Sequence, residues 1–163
     1  MPNKTEKFQI LLLFLIWKEW QLIITYLSPL IIQKFAGHFP YFSERLYPAN
    51  LPHFLWSAGN FDGVHYLGIA KDAYSHQYTQ VFFPLYPILI KAGEYLTHNL
   101  ILSGVLISNI ALLVAIYFLH SLVKMNYGKN VAIWSVIFVL AFPTSFYFGA
   151  VYYWTIAKKR NRS

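Results

Sequence analysis

The chain has 163 residues, 57% of them hydrophobic and only 12% charged. A soluble domain carries about 25% charged residues, so the composition is that of a membrane protein, and the length suits one domain. The net charge is +7, but the cations sit at the ends of apolar runs instead of on a polar face, which argues against nucleic-acid binding; with no cysteine, a disulfide framework and a thiolate metal site are excluded as well.

The first apolar segment, residues 8–32, follows Lys4 and Lys7. No small-residue cleavage site ends it and the apolar run continues past Trp20, so it reads as an uncleaved signal-anchor span. Lys18 and Glu19 interrupt it. A charge at mid-bilayer costs about 2.5–3.5 kcal/mol. The pair therefore either faces a protein interior or lies near the inner interface with the span shifted towards residue 33, and the shift is the reading adopted.

Residues 34–80 form a long polar and aromatic loop whose cations (Lys34, Arg45, Lys71) and acids (Glu44, Asp62, Asp72) cancel. Pro40, Pro48 and Pro52 break up its first half. The stretch from Asp62 to Asp72 holds no proline, and Asp62 before Gly63 suits an N-cap, so a short interfacial helix is expected there. Asp62 and His65 lie at i and i+3, with Tyr66 at i+4, on one helical face. A carboxylate so placed can take a proton from a hydroxyl as a general base, while His65 orients it, meets a phosphate or donates to a sugar. Equally, Asp62 can simply cap the helix and His65 face lipid headgroups. Arg45 is the only arginine in the loop, and arginine suits bidentate phosphate recognition. Arg45 or Lys71 can stabilise a departing phosphate or make ordinary headgroup contacts. His38, His53, His65 and His76 show no paired ligand spacing, so no metal is expected, nor any other cofactor.

Residues 81–97 are a second apolar segment, short for a span at 17 residues, with Pro84 and Pro87 at its start. Lys91 and Glu94, three apart, can pair. Residues 99–122 and 130–157 are clearer spans. Asn109, deep in the first of these, is read as an interhelical hydrogen-bonding group, and His120 as interfacial. Residues 158–163 are a basic tail. With four crossings and the N-terminus inside, six cations lie inside (Lys4, Lys7, Lys158, Lys159, Arg160, Arg162) and five outside (Lys34, Arg45, Lys71, Lys124, Lys129). If 81–97 dips in and returns, the counts become four and seven. The positive-inside bias therefore favours four crossings, wholly through the tail. The expected fold is an all-α integral membrane protein: a single membrane domain over 1–163, with about four hydrophobic helices and a large outer loop carrying short interfacial helices.

Asn60-Phe61-Asp62-Gly63-Val64-His65-Tyr66-Leu67, then Ile69-Ala70 and Ala73-Tyr74, then Phe82-Phe83-Pro84-Leu85-Tyr86-Pro87, resembles the PIG-V family of GPI mannosyltransferases and its prokaryotic relatives. Ser108-Asn109 and Phe142-Pro143-Thr144-Ser145-Phe146-Tyr147 through Ala150-Val151-Tyr152 look like the family's later blocks. The resemblance implies a GT-C type glycosyltransferase that moves a sugar, mannose by expectation, from a polyprenyl or dolichyl phosphate donor to a glycolipid or glycan acceptor. It also implies an active site in the first outer loop, with Asp62 as the acid that activates the acceptor hydroxyl and His65, Tyr66, Arg45 and Lys71 as substrate-binding candidates. The membrane would be the plasma membrane in a prokaryote and the endoplasmic reticulum in a eukaryote. Two features depart from the family. Ala73 stands where it has glycine before Tyr74. After Tyr152 the chain reads Tyr153-Trp154-Thr155-Ile156-Ala157 and a basic tail, where the family has a glutamate and further spans. The chain is thus expected to be the N-terminal part of such an enzyme, a truncated or decayed copy. Two other classes fit the sequence: a non-catalytic scaffold or partner subunit of the same fold, and a transporter-like component using Lys18, Glu19, Lys91 and Glu94.

Overall fold

The computed structural model describes residues 2–32, 41–75 and 79–151. The expectations that fall on Lys34, His38, Pro40, His76, Tyr152 and the basic tail lie outside the described residues. Among the described residues every regular element is helical: α1 (Lys4–Ile31), α2 (Phe42–Arg45), α3 (His53–Trp56), α4 (Asp62–Asp72), α5 (Leu85–Thr97) and α6 (Leu100–Ala141), joined by short 3-10 turns.

Two of these helices, α1 and α6, are long and apolar enough to cross a membrane. Helix α1 starts with a capping box: Asn3 Oδ1 accepts from the Glu6 amide at 2.9 Å, and Glu6 Oε2 accepts from the Asn3 amide at 2.9 Å. Most of its large apolar side chains point away from the protein, Phe8, Leu15 and Ile24 among them.

Helix α6 does not run straight. Gly128 adopts φ 84°, ψ 174°, a left-handed φ that glycine reaches without a Cβ clash. In a straight helix Leu112 and Leu140 would stand about 42 Å apart at the α-helical rise. Instead Leu112 and Ile116 before the glycine join Val136 and Leu140 after it, and Ile10, Phe14 and Trp17 of α1, in one buried cluster. The chain therefore folds back at Gly128, and 129–141 returns alongside 100–127. The return helix ends at Ala141. Phe142 and Pro143 break it, and a 3-10 turn over Ser145–Gly149 follows, so the helix expected over 130–157 stops well short of residue 157.

The ends are tied in a definite order. Lys124 Nζ meets both carboxylate oxygens of buried Glu6, at 2.8 and 2.9 Å. Residue 124 thus lies beside the N-terminus of α1, and 100–127 runs antiparallel to α1. Helix α5 has 13 residues, about 20 Å of rise, against the roughly 20 residues a crossing needs. It lies along the first turns of α6: Tyr86 Oη donates to Gly104 O at 3.1 Å and lies 2.6 Å from Ser108 Oγ, and Gly93 packs on Ser103. Helix α5 is thus a short helix packed on the start of α6, and among the described residues two helices, α1 and α6, are long and apolar enough to cross a membrane.

A second core lies between α4, α5 and the start of α6, with Leu46, Val64, Leu67, Tyr86, Ile90 and Val151 buried in it. Two further expectations are corrected here. His120 is fully buried on α6, not interfacial. Lys18 is not placed at an interface by a shifted span. It turns inward from the middle of α1 and donates to Gly149 O at 3.3 Å, whereas Glu19 is exposed.

Candidate functional site

Helix α4 starts where it does because of a tight turn. Phe61 has φ 58°, ψ −129°, and the Gly63 amide donates to Asn60 O at 3.2 Å. Those are the features of a type II′ turn, which favours glycine at the position Phe61 holds. A bulky residue in this region costs on the order of 1–3 kcal/mol, and such strain clusters at functional sites. The N-cap is therefore Phe61, not Asp62. The Gly63 and Val64 amides are satisfied by the carbonyls of Asn60 and Phe61, each at 3.2 Å, so the Asp62 carboxylate is not required as a cap. It is half-buried in the first turn of α4, where the helix dipole favours negative charge. No hydrogen bond or ion pair holds it among the described residues.

His65 is one turn along, half-buried, its ring stacked on Phe82 with centroids 5.1 Å apart and planes at 23°. Tyr41 approaches its edge at 6.3 Å. Burial lowers the His65 pKa from its ordinary 6.5, the positive charge of Arg45 lowers it further, and the carboxylate of Asp62 works the other way. The imidazole is thus held towards the neutral form, which can accept or donate a proton.

Arg45, on α2, reaches across α4. Its Nη1 donates to Val64 O at 2.8 Å, and its guanidinium lies 5.0 Å from the centre of the Tyr41 ring. The crossing works because residue 68 is glycine: a Cβ there would sit 1.9 Å from Nη1. Asp62, His65 and Arg45 are therefore brought together. The other two candidates are not. Tyr66 is buried in an aromatic cluster, edge-on to Phe82 at 5.0 Å and to Tyr86 at 5.1 Å. Lys71 lies nine residues from Asp62, on the opposite side of α4 by the 100° helical step, and is exposed. No group of three or more metal-ligating side chains occurs among the described residues.

A cavity of about 820 Å³, mostly apolar, lies between α1, the end of α6, the Ser145–Gly149 turn and residues 53–61. It follows α1 from Leu13 to Ser28, about 22 Å along the axis. Asn60 and Phe61 line one part of it, and Lys18, Gln21 and His53 add polar groups. Gln21 Nε2 and His53 Nδ1 are buried and have no hydrogen-bond partner among the described residues. Sequence reasoning missed these residues as a set. The available signal was Lys18 and Gln21 at i and i+3, sharing one face of α1.

Distant stretches meet around this cavity. Phe61 touches Tyr147 edge-on, with ring centroids 6.4 Å apart. The Val151 amide donates to Ala58 O at 2.8 Å, and Val151 packs against Gly63. Asn109 Nδ2 donates to Gly149 O at 3.2 Å, so the residue does hydrogen-bond across elements, to the turn after α6. The blocks at 60–67, 82–87, 108–109 and 142–151 are thus one spatial neighbourhood. The chain matches no protein-family model, no curated protein and no solved structure.

Proposed function

We propose that the chain is an integral, multi-pass membrane protein whose site at Asp62 transfers a sugar, mannose in the first instance, from a polyprenyl- or dolichyl-phosphate donor to a glycolipid or glycan acceptor. The observation that carries the reading is the uncommitted Asp62 carboxylate beside His65, one residue from a long apolar cavity that Asn60 and Phe61 line. The outward apolar faces of α1 and α6 support the membrane placement: only 17% and 33% of their most apolar stretches is buried. The convergence of the four family-like blocks supports the reaction class.

In this reading the isoprenoid tail lies along α1 and the sugar phosphate sits near Asn60. Asp62 takes the proton from the acceptor hydroxyl. The oxygen attacks the anomeric carbon, the bond from that carbon to the phosphate oxygen breaks, and the lipid phosphate leaves with the electron pair. Lys18 lines the cavity as a cation for that charge. Arg45, already committed to Val64 O, holds α4 in place, and its charge adds to burial in lowering the His65 pKa.

The test is transfer of labelled mannose by the full chain in liposomes. The lipid-linked donor should give glycolipid product, and the same sugar as its nucleotide diphosphate should give none. Transfer from the nucleotide sugar, or from neither donor, overturns the proposal; the second outcome, with stable membrane expression and co-purification of another membrane protein, leaves the scaffold reading.

A further inference from the structure

The end of the bundle away from α4 holds an imidazole that the proposed chemistry does not use. His120 is fully buried on 100–127, and neither of its ring nitrogens has a hydrogen-bond partner among the described residues. An ionisable side chain inside a membrane-spanning helix is rare and marks function by default. Its surroundings follow from the packing. Lys124 is one turn further on, on the same face, and that face meets α1 at Glu6. Leu112 and Ile116 share a core with Leu140 and Val136, and the same antiparallel register carries residue 120 to the level of Ala132, which is fully buried. The imidazole thus sits where α1, 100–127 and 129–141 meet. The charges that act on it are Glu6 from α1, Lys124 from its own helix and Lys129 from the start of the return helix. Lys4 and Lys7, also on α1, are exposed, and the Lys7 ammonium lies 6.0 Å from the centre of the Tyr117 ring, one turn before His120.

Glu6 is the one carboxylate placed to answer a charge on this ring. The other five acids of the chain all lie between residues 19 and 94, and Glu19, the next on α1, is about 20 Å further along the axis. Among the described residues, Glu6 Oε1 accepts from Lys124, and Oε2 accepts from Lys124 and from the Asn3 amide. A carboxylate has about four acceptor sites, so Oε1 can take one more donor. A buried imidazolium without a counter-charge is far costlier than a buried neutral ring. The two candidate partners of Glu6 differ in their freedom. His120 is enclosed, whereas the Lys124 side chain is 30% exposed and can turn to water. We propose that His120, Glu6 and Lys124 form a proton-operated switch at this end of the bundle. With the ring neutral, Glu6 holds Lys124. When the ring takes a proton from solvent, Glu6 passes to His120, and the Lys124 ammonium swings out towards the exposed Lys4, Lys7 and Lys129. The surface there gains one displayed positive charge, and the tie between α1 and 100–127 moves one turn deeper.

The experiment follows the full chain in phosphatidylcholine nanodiscs, labelled with nitrogen-15 in its histidine rings and lysine side chains, by NMR from about pH 8 to about pH 5, the range in which histidine charges. His120 should titrate, and at the same midpoint the Lys124 ammonium signal should shift and exchange with water at least about tenfold faster, the effect of losing one charge-assisted hydrogen bond. Lys124→Met leaves Glu6 to His120 alone, so the ring should charge at a higher pH than in the unaltered chain. Glu6→Gln removes the counter-charge, so the ring should stay neutral throughout. His120→Gln should leave the Lys124 signal flat. The unaltered chain and Lys124→Met decide the matter even if the Glu6→Gln chain does not fold. A His120 ring that never charges in this range, one that charges while the Lys124 signal stays still, or a Lys124→Met midpoint no higher than that of the unaltered chain overturns the proposal. No sugar donor is present, so this result and that for Asp62 stand or fall separately.

Discussion

Gly68→Ala tests whether Arg45 is held across α4 for a reason. The new Cβ would lie 1.9 Å from Nη1 and 2.5 Å from Cζ of Arg45, so the guanidinium must leave. It is the far end of a flexible side chain, and α4 itself need not move. Leaving breaks the 2.8 Å bond to Val64 O, and a hydrogen bond from a charged donor contributes about 1.5–3 kcal/mol. Against this, alanine is better than glycine inside a helix by about 0.8–1 kcal/mol. The net expectation is a loss of roughly 0.5–2 kcal/mol, read as a lower thermal midpoint in detergent. A second readout separates this account from simple crowding. Arg45 is one of the two causes that lower the His65 pKa, so its departure should raise that pKa, measured by NMR on histidine-labelled protein. A more stable variant, or a stable fold with an unmoved His65 titration, would refute the reasoning.

Ala73 closes α4 with φ 56°, ψ −153°, a backbone suited to glycine, so Ala73→Gly should stabilise the chain by about 1 kcal/mol, seen as a raised thermal midpoint; no gain would show that the strain is not there. Because the folded-state pKa of His65 lies below its ordinary 6.5, the folded chain binds fewer protons here than the unfolded one. The stability tied to neutral His65 is thus complete above pH about 6.5 and falls as the pH drops through the lowered value. His65→Phe keeps the stack on Phe82 and should flatten that acid limb in a series of melting curves. Tyr86→Phe removes the buried hydroxyl between Gly104 O and Ser108 Oγ and should cost about 1–2 kcal/mol; an unchanged melting curve would mean that α5 is not pinned there.

Much of the local structure was readable from residue types. A proline-free stretch of small and apolar residues marked α4, and its observed bounds, Asp62–Asp72, are those expected. Pro84 does stand at the start of α5, and Lys91 and Glu94 pair as their spacing suggested. What stayed hidden depends on contacts between distant residues. The polar stretch 123–129 looked like a loop between spans, but the helix runs on to Gly128, the one residue there that can take the reversing φ. Lys18 looked misplaced in an apolar span because its acceptor, Gly149 O, lies 131 residues away. The cap assignment for Asp62 failed for a different reason: a strained Phe61 does the work that residue preference would give to an aspartate.

The central claim rests on one carboxylate. Asp62→Asn keeps the size and the helix start but cannot take a proton. With the chain in liposomes, the rate of mannose transfer at saturating lipid-linked donor should fall about 10²–10⁴-fold, the usual contribution of a general base, while binding of the donor stays within about twofold, since the tail cavity is untouched. A variant that transfers at the wild-type rate would contradict the account.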